Sequence, residues 1–363
     1  RAGEYEGLAE KLKDPRWKPD FGPAEFNPRT GATNVGARDF LVAFNINLNT
    51  TSTRRANSVA FDVRERGRVM REGDPITGKI VKDEKGEPVY IPGTLKAVKA
   101  IGWFIEEYGV AQISMNLTNI GITPVHVAFD EVCKKADERG IRVTGSELVG
   151  LMPKQAILDA GKYFLAKQNR SLGVSDEELI KIAIKSMGLD ELKPFNPKEK
   201  IIEYLIEDES TAPRLAAMNL REFANETASE SPAPGGGSIS AYIGSLGISL
   251  ATMVANLSSH KRGWDHRWEE FSSWAEKGQK LKDELLFLVD EDTRAFNRIM
   301  DALSLPKGSE QEKTARKEAL DNATRYAIEV PLNVMKKCFA AFEIIRAMAE
   351  TGNPNSVSDA GVG

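Results

Sequence analysis

The stretch "SESPAPGGGSISAYIGSLGISLATMV", Ser229–Val254, poses the first question about this chain. Three consecutive glycines stand directly before a long run of small and apolar residues. Ordering glycine costs more backbone freedom than ordering any other residue, so three in a row need a reason. The run after them reads as a helix, and a helix start carries unpaired backbone N–H groups and a partial positive charge. Two readings stay open: a hinge between packed helices, or a helix start that a flat or anionic ligand can approach closely. Ile239, Ile243, Leu246, Leu250, Met253 and Leu257 step by four and three, a heptad stripe. Gly237, Ala241, Gly244, Gly247 and Ala251 make a small-residue stripe roughly opposite. The helix is therefore expected to be buried on both faces, by its own bundle and by a second subunit.

Downstream of about Thr211 every segment has helical period, broken only at the glycines, at "SLPKGSEQE" and at "TGNPNS". Ser309 and Glu312 form a capping-box pattern, and Pro331 predicts a kink in the helix that they open. The reading is a bundle of five or more helices. Upstream, residues 40–206 alternate strand-like and helix-like runs, which implies an α/β layer structure. "FLVAFNINL" reads as a strand and "STRRANSVAFDVRERGR" as a helix. "GKIVKDEKGEPVYIPG" reads as a hairpin turning at Asp83–Gly86, and "GTLKAVKAIGWFIEEYG" as a helix. "AQISMNL" and "IRVTGSEL" read as strands around the helix "TPVHVAFDEVCKKADERG", with further helices near Pro153, Ser175 and Pro197. "DESTAP", Asp208–Pro213, is a linker by composition.

With 363 residues and a net charge of −4, the chain predicts two or more domains and argues against a general nucleic-acid binder. No apolar run approaches the ~18 residues that cross a bilayer, so no membrane span is expected. Cys133 and Cys338 match no metal or redox spacing, so no metal and a reducing, cytoplasmic setting are expected. The chain opens at Arg1 without a signal peptide or a Met, which leaves open a processed, trimmed or partial chain.

The helix around "LVDEDTRAF" carries the sharpest chemical signal. Phe271, Trp274, Gly278, Leu281, Leu285, Leu288, Ala295, Ile299 and Ala302 define its buried stripe, and position 292 falls on it. Asp292 is thus a carboxylate in a core position, while Asp290 and Glu291 fall off the stripe and are expected to reach solvent. A carboxylate there needs a partner or a raised pKa. It either fixes register and pairs with a cation, or serves as a general acid–base. His126 reads as packed or capping, and His260 and His266 flank the exposed basic turn "KRGWD".

"RAGEYEGL", "DFGPAEFNPRTGATNVGARDFLVAFNINL", "GSELVGLMP", "PFNPKEKIIEYL", "APGGGS" and "LVDEDTRAF" occur in this order. Together they resemble the bifunctional formimidoyltransferase-cyclodeaminases of histidine and folate metabolism, from Arg1 through "NPNSVSDAGVG". The resemblance implies an α/β transferase subdomain, a mixed sheet with helices, followed by an all-α helical-bundle cyclodeaminase. It divides the chain into 1–38, the end of an N-terminal transferase subdomain; 39–207, the C-terminal transferase subdomain; a linker at 208–213; and an incomplete bundle at 214–363. It implies transfer of the formimidoyl group of N-formimidoyl-L-glutamate to polyglutamylated tetrahydrofolate. Ring closure to 5,10-methenyl-tetrahydrofolate then releases ammonia. Folate contacts are carried to Gly22, Pro23, Phe26, Asn27, Arg29 and Gly31, to Asp62 and Arg64, and in the cyclodeaminase to Gly235, Gly236, Gly237 and Ser238. Asp292 aligns with the family's catalytic aspartate. The family's transferase histidine would precede Arg1, and further bundle helices would come after Gly363. A ring-like homo-octamer is implied as well. The rival expectations are a cyclodeaminase alone, or a folate-binding scaffold without turnover.

Overall fold

The structure is a computed structural model that describes residues 7–33, 35–37, 39–74, 77–206 and 214–363. The expected linker, Asp208–Pro213, lies outside the described residues. Residues 1–40 form one compact unit and residues 41–363 another. The first contains the short helix α1 (Leu8–Lys11) and a 3₁₀ turn, Pro15–Trp17, capped by the Asp14 side chain. Residues 21–30 of that unit are exposed. Within them the Asn27 side chain accepts from the backbone N–H groups of Arg29 (2.9 Å) and Thr30 (3.2 Å), an Asx turn that shapes the segment.

The second unit opens with β1 (Val42–Leu48), whose Phe44, Ile46 and Leu48 are buried. Helix α2 (Thr53–Val63) starts on a Ser52 cap and stops at Val63, short of the expected basic end. Next along the chain are β2 (Arg68–Val69), β3 (Tyr90–Ile91), β4 (Val98–Ile105), β5 (Val110–Leu117), α3 (Val125–Asp137) and β6 (Val143–Val149). The sheet order β4-β5-β1-β6, with every neighbouring pair antiparallel, makes a ferredoxin-like split βαβ arrangement. The expected mixed sheet is thus antiparallel in its four strands, with one lone parallel bridge, Met152–Ile201, beside it. β2 pairs with β3, which lies in the 78–93 hairpin, and that hairpin turns at Asp83–Gly86 as its sequence predicts.

One element differs in kind. The run from Gly93 to Gly109, expected as a helix, contains strand β4. Its burial alternates, with Val98, Ala100 and Gly102 inward and Lys99, Ile101 and Trp103 outward. The helix-favouring Lys, Ala and Glu residues are overridden by pairing with β5 and by contact with α2. The Asn57 side chain donates to the Gly102 carbonyl (3.1 Å) and accepts from its N–H (2.9 Å). A side chain at Gly102 would collide with the α2 backbone, 2.3 Å from Asn57 N.

Helices α4 (Lys154–Lys167), α5 (Asp176–Met187), α6 (Pro197–Lys200) and α7 (Ile202–Leu205) complete this part. The bundle is α8 (Leu220–Thr227), α9 (Gly236–Ser259), α10 (Trp268–Ser304), α11 (Glu310–Thr351) and α12 (Val357–Val362). Its apolar core is separate from that of the sheet region. The loop after α4 joins the two: Leu172 N–H donates to the Ser272 hydroxyl (2.9 Å), and the Asn256 amide donates to the Gly173 carbonyl (2.9 Å). α11 carries the Ser309/Glu312 capping box and is continuous across Pro331.

α9 overturns one expectation. It is 24 residues long and its most apolar 18-residue window has a mean hydropathy of 1.5, enough by length and composition to cross a bilayer. Glycines and serines interrupt its apolar runs while leaving the mean high, and 44% of the most apolar window is buried in the bundle. The buried face is the small one: Ala241, Ser245, Ala251, Thr252 and Ala255. Gly244 lies against the bundle too, since a Cβ there would stand 2.5 Å from the Cys338 sulfur. The heptad residues Ile243, Leu246, Met253 and Leu257 are exposed.

Candidate functional site

The glycine turn and Asp292, singled out for separate reasons, meet in the structure. α9 begins on Gly235, which has no side chain to cap the first turn. The cap comes from α10 instead. Asp292 Oδ2 accepts from both the backbone N–H (3.0 Å) and the hydroxyl (3.2 Å) of Ser238. A carboxylate at this helix start is favoured by the unpaired N–H groups and the helix dipole. Gly237 is dictated by that contact, because a Cβ on it would stand 2.1 Å from Asp292 Oδ1. Gly236 is exposed, with open space where a side chain would be. The glycines thus serve different ends: one admits the carboxylate, and its neighbour leaves the helix start open.

Asp292 is half-buried on its stripe, whereas its neighbours reverse the expectation that they reach solvent. Asp290 is 6% exposed and accepts from the backbone N–H groups of Arg214 (2.9 Å), Leu215 (2.7 Å) and Ala216 (3.2 Å). Glu291 is 5% exposed; it pairs with Arg294 at 3.0 Å, lies near Arg298, and accepts a short hydrogen bond from the Tyr326 hydroxyl. Burial and the Glu291 hydrogen bond raise the Tyr326 pKa. The periodicity located the stripe, but α10 is packed by α9, by α11 and by the 214–216 segment, so a position off the stripe is not a position in water. A cavity of ≈ 390 Å³ lies on the Asp290 side, lined by Arg214, Met218, Pro232, Thr293 and Asn297 among others.

In the sheet region Arg64 sits just past α2. Its Nε donates to the Gly67 carbonyl (2.8 Å), and its guanidinium lies 3.9 Å from the centre of the Phe61 ring. Burial, then the neighbouring Arg66 charge, lowers its pKa. With Arg54, Arg68, Arg71, Asn57 and Phe61 it lines a cleft of ≈ 350 Å³, a strongly basic, partly aromatic surface suited to an anionic ligand with a flat ring. Asp62 is differently engaged: Arg68 and Arg139 both pair with its carboxylate, tying α2 to β2 and to the turn after α3. Gly22, Pro23, Phe26, Asn27, Arg29 and Gly31 belong to the first compact unit, in and around its Asx turn. His126 is buried against the Tyr163 ring, 4.6 Å between centres, and burial lowers its pKa. His260 and His266 are exposed. Ser238 as the partner of Asp292 escaped sequence reasoning, for the two lie 54 residues apart.

Three family models match the chain: "Formiminotransferase domain, N-terminal subdomain" over residues 1–38, "Formiminotransferase domain" over 43–207 and "Formiminotransferase-cyclodeaminase" over 219–363. The formimidoyltransferase-cyclodeaminase of Mus musculus is 39% identical over 359 residues, covering 99% of this chain and 62% of the mouse protein. This chain thus spans about three fifths of that relative's length. The methenyltetrahydrofolate cyclohydrolase of Methylorubrum extorquens is 34% identical over 143 residues, covering 39% of this chain and 69% of its own length. The crystal structure of formiminotetrahydrofolate cyclodeaminase from Thermotoga maritima is 31% identical, covers 40% of this chain and 69% of that one, and superposes with a TM-score of 0.35. With a sheet region and a helical bundle each matched by its own model, and a relative aligned along nearly all of both, the chain belongs to the formiminotransferase-cyclodeaminase family.

Proposed function

We propose that this chain is a folate-dependent enzyme of histidine degradation, acting in the cytoplasm on N-formimidoyl-L-glutamate and polyglutamylated tetrahydrofolate. The sheet region and the 22–31 segment serve formimidoyl transfer to N5, with Arg64 and its neighbouring arginines holding carboxylates of substrate. The bundle closes 5-formimidoyl-tetrahydrofolate to 5,10-methenyl-tetrahydrofolate. In that step N10 attacks the formimidoyl carbon and gives a tetrahedral centre. The formimidoyl nitrogen must leave, and an amide-type anion is a very poor leaving group. Asp292 takes the N10 proton and passes it to that nitrogen, which gains a second proton from solvent and departs as ammonia. No metal is required for this chemistry.

The observation that carries the reading is Asp292 itself, an acid–base group held at an open, glycine-lined helix start. The exposed face of α9, with Ile243, Leu246, Met253 and Leu257, supports a homo-oligomer, and a ring-like octamer is the assembly we propose. The likeness to a cyclohydrolase favours one further reading: water attacking the same methenyl carbon in the same bundle. Measuring ammonia release from 5-formimidoyl-tetrahydrofolate, and formyl-tetrahydrofolate from the methenyl compound, separates them. Asp292→Asn should lower ammonia release ~10²–10⁴-fold, the range for losing a general acid–base. An Asp292→Asn protein that is folded and fully active would refute the assignment. A wild-type protein that binds folate without releasing ammonia would leave a binding scaffold as its role.

A further inference from the structure

Ser238 is fully buried, and both of its donors converge on one oxygen of Asp292. The other oxygen, Oδ1, takes no hydrogen bond among the described residues and lies over the bare Cα of Gly237. A carboxylate at the end of two rotatable bonds would ordinarily turn and present either oxygen. Here two donors from one residue, one of them fixed in the helix backbone, hold its plane. A hydroxyl committed in this way has spent its one donor on Asp292 and is closed off from solvent.

We propose that Ser238 is the positioning residue of the cyclodeaminase site: it occupies Asp292 Oδ2 so that Oδ1 is the oxygen that carries the proton. This rests on the acid–base role of Asp292 proposed above. It gives Gly237 a purpose as well, since that residue must lack a side chain for Oδ1 to occupy its place. The proton path then runs through a single oxygen held in one orientation, at the open end of α9 beside Gly236. Misplacement of a reacting group by about 1 Å can cost ~10²-fold in rate.

The test is steady-state ammonia release by the full-length protein carrying Ser238→Ala, Ser238→Thr, Asp292→Asn or the Ser238→Ala/Asp292→Asn pair. Ser238→Ala keeps the backbone donor and loses the hydroxyl, so kcat should fall by roughly 10- to 100-fold with KM nearly unchanged. Ser238→Thr, which restores the hydroxyl, should recover most of the rate. Because Ser238 acts through Asp292, adding Ser238→Ala to Asp292→Asn should lower the residual rate no further. Should Ser238→Ala fail to fold, Ser238→Cys keeps a side chain of similar shape with a much weaker donor and reads the same split. A raised KM at constant kcat would overturn the proposal in favour of a ligand contact. A lowered unfolding midpoint with normal kcat per folded molecule would overturn it in favour of a purely structural cap. Either result, with Asp292→Asn still inactive, leaves the function standing; an active Asp292→Asn protein removes both.

Discussion

The sheet region and the helical bundle solve burial in opposite ways. Around the sheet the large side chains are inside: Phe44, Ile46, Leu48, Ile113, Met115 and Leu117 are all fully buried. The other face of the same sheet carries a polar network in which Gln112 donates to Asn47 (2.7 Å) and Asn47 donates to Glu191 (2.9 Å). In the bundle the central helix α9 buries mostly small residues, alanines, serines and Thr252 with Ile248 and Val254 among them, while Ile243 on α9 and Phe339 on α11 stand 63% and 78% exposed. Small residues let helix backbones approach closely, and they leave the large apolar groups to the outside. The difference teaches that the sheet region gathers its large apolar side chains on the helix-covered face, whereas the bundle leaves many of its own exposed and uses its polar groups to join helix starts and segments of backbone. That arrangement also places carboxylates where a self-sufficient core would not have them.

Breaking the Asp290 contacts should have the largest effect on stability. Asp290→Ala strips three backbone N–H groups of a charged acceptor, and each hydrogen bond to a charged group contributes about 1.5–3 kcal/mol. A loss of about 3 kcal/mol or more is expected in chemical denaturation, confined to the transition of the bundle. A loss below about 1 kcal/mol would mean that water replaces the carboxylate. Next in size is the outward face of α9. Ile243→Asp should reduce the mass seen by light scattering and leave the helicity intact, at about 2 kcal/mol for a central contact. Gly244→Leu should instead destabilise the bundle itself, because its clash is with Cys338 and Leu285 of the same chain. The reverse outcomes would place the subunit contact on the small-residue face.

Arg64→Ala sharpens the contrast from the other side. It should weaken polyglutamylated folate by about 1 kcal/mol, more at low salt and more than monoglutamate, with ammonia release from added 5-formimidoyl-tetrahydrofolate unchanged. Equal losses for both ligands would assign Arg64 to pterin contact. The smallest effect is an alkaline one in the sheet region. Burial, with the nearby Asp130 charge, pushes the Cys133 thiol up to about 11, and the hydrogen bond to Asp130 pushes the Tyr163 phenol up to about 12. Both groups are neutral in the fold at pH values where the unfolded chain would ionise them. Their contribution is therefore complete below the ordinary thiol pKa of 9.0 and fades as pH rises through about 11 and 12. Cys133→Ser should flatten the first part of that decline in thermal melts taken from about pH 8 to about pH 11.

Legibility followed the range of the forces. The bundle could be read because apolar spacing along one helix is a local property, and the Ser309 box and the turn at Asp83–Gly86 are local too. Asp292 could be picked out because a carboxylate breaks that spacing. β4 could not, since Lys, Ala and Glu favour a helix until β5 and Asn57 claim its backbone. Asp290 and Glu291 could not either, since nothing in "LVDEDTRAF" says how many neighbours surround α10.

The order of motifs and their periods determined, from sequence alone, a sheet region followed by a bundle, and a carboxylate on an apolar stripe. Only the tertiary structure decided what that carboxylate touches. Ser238, Gly237 and Asp292 are brought together by the packing of α9 on α10, and a contact across 54 residues of chain leaves no local pattern to read. The same packing turned the small-residue stripe inward and the heptad stripe outward, because close approach of two backbones is open only to the face without side chains in the way.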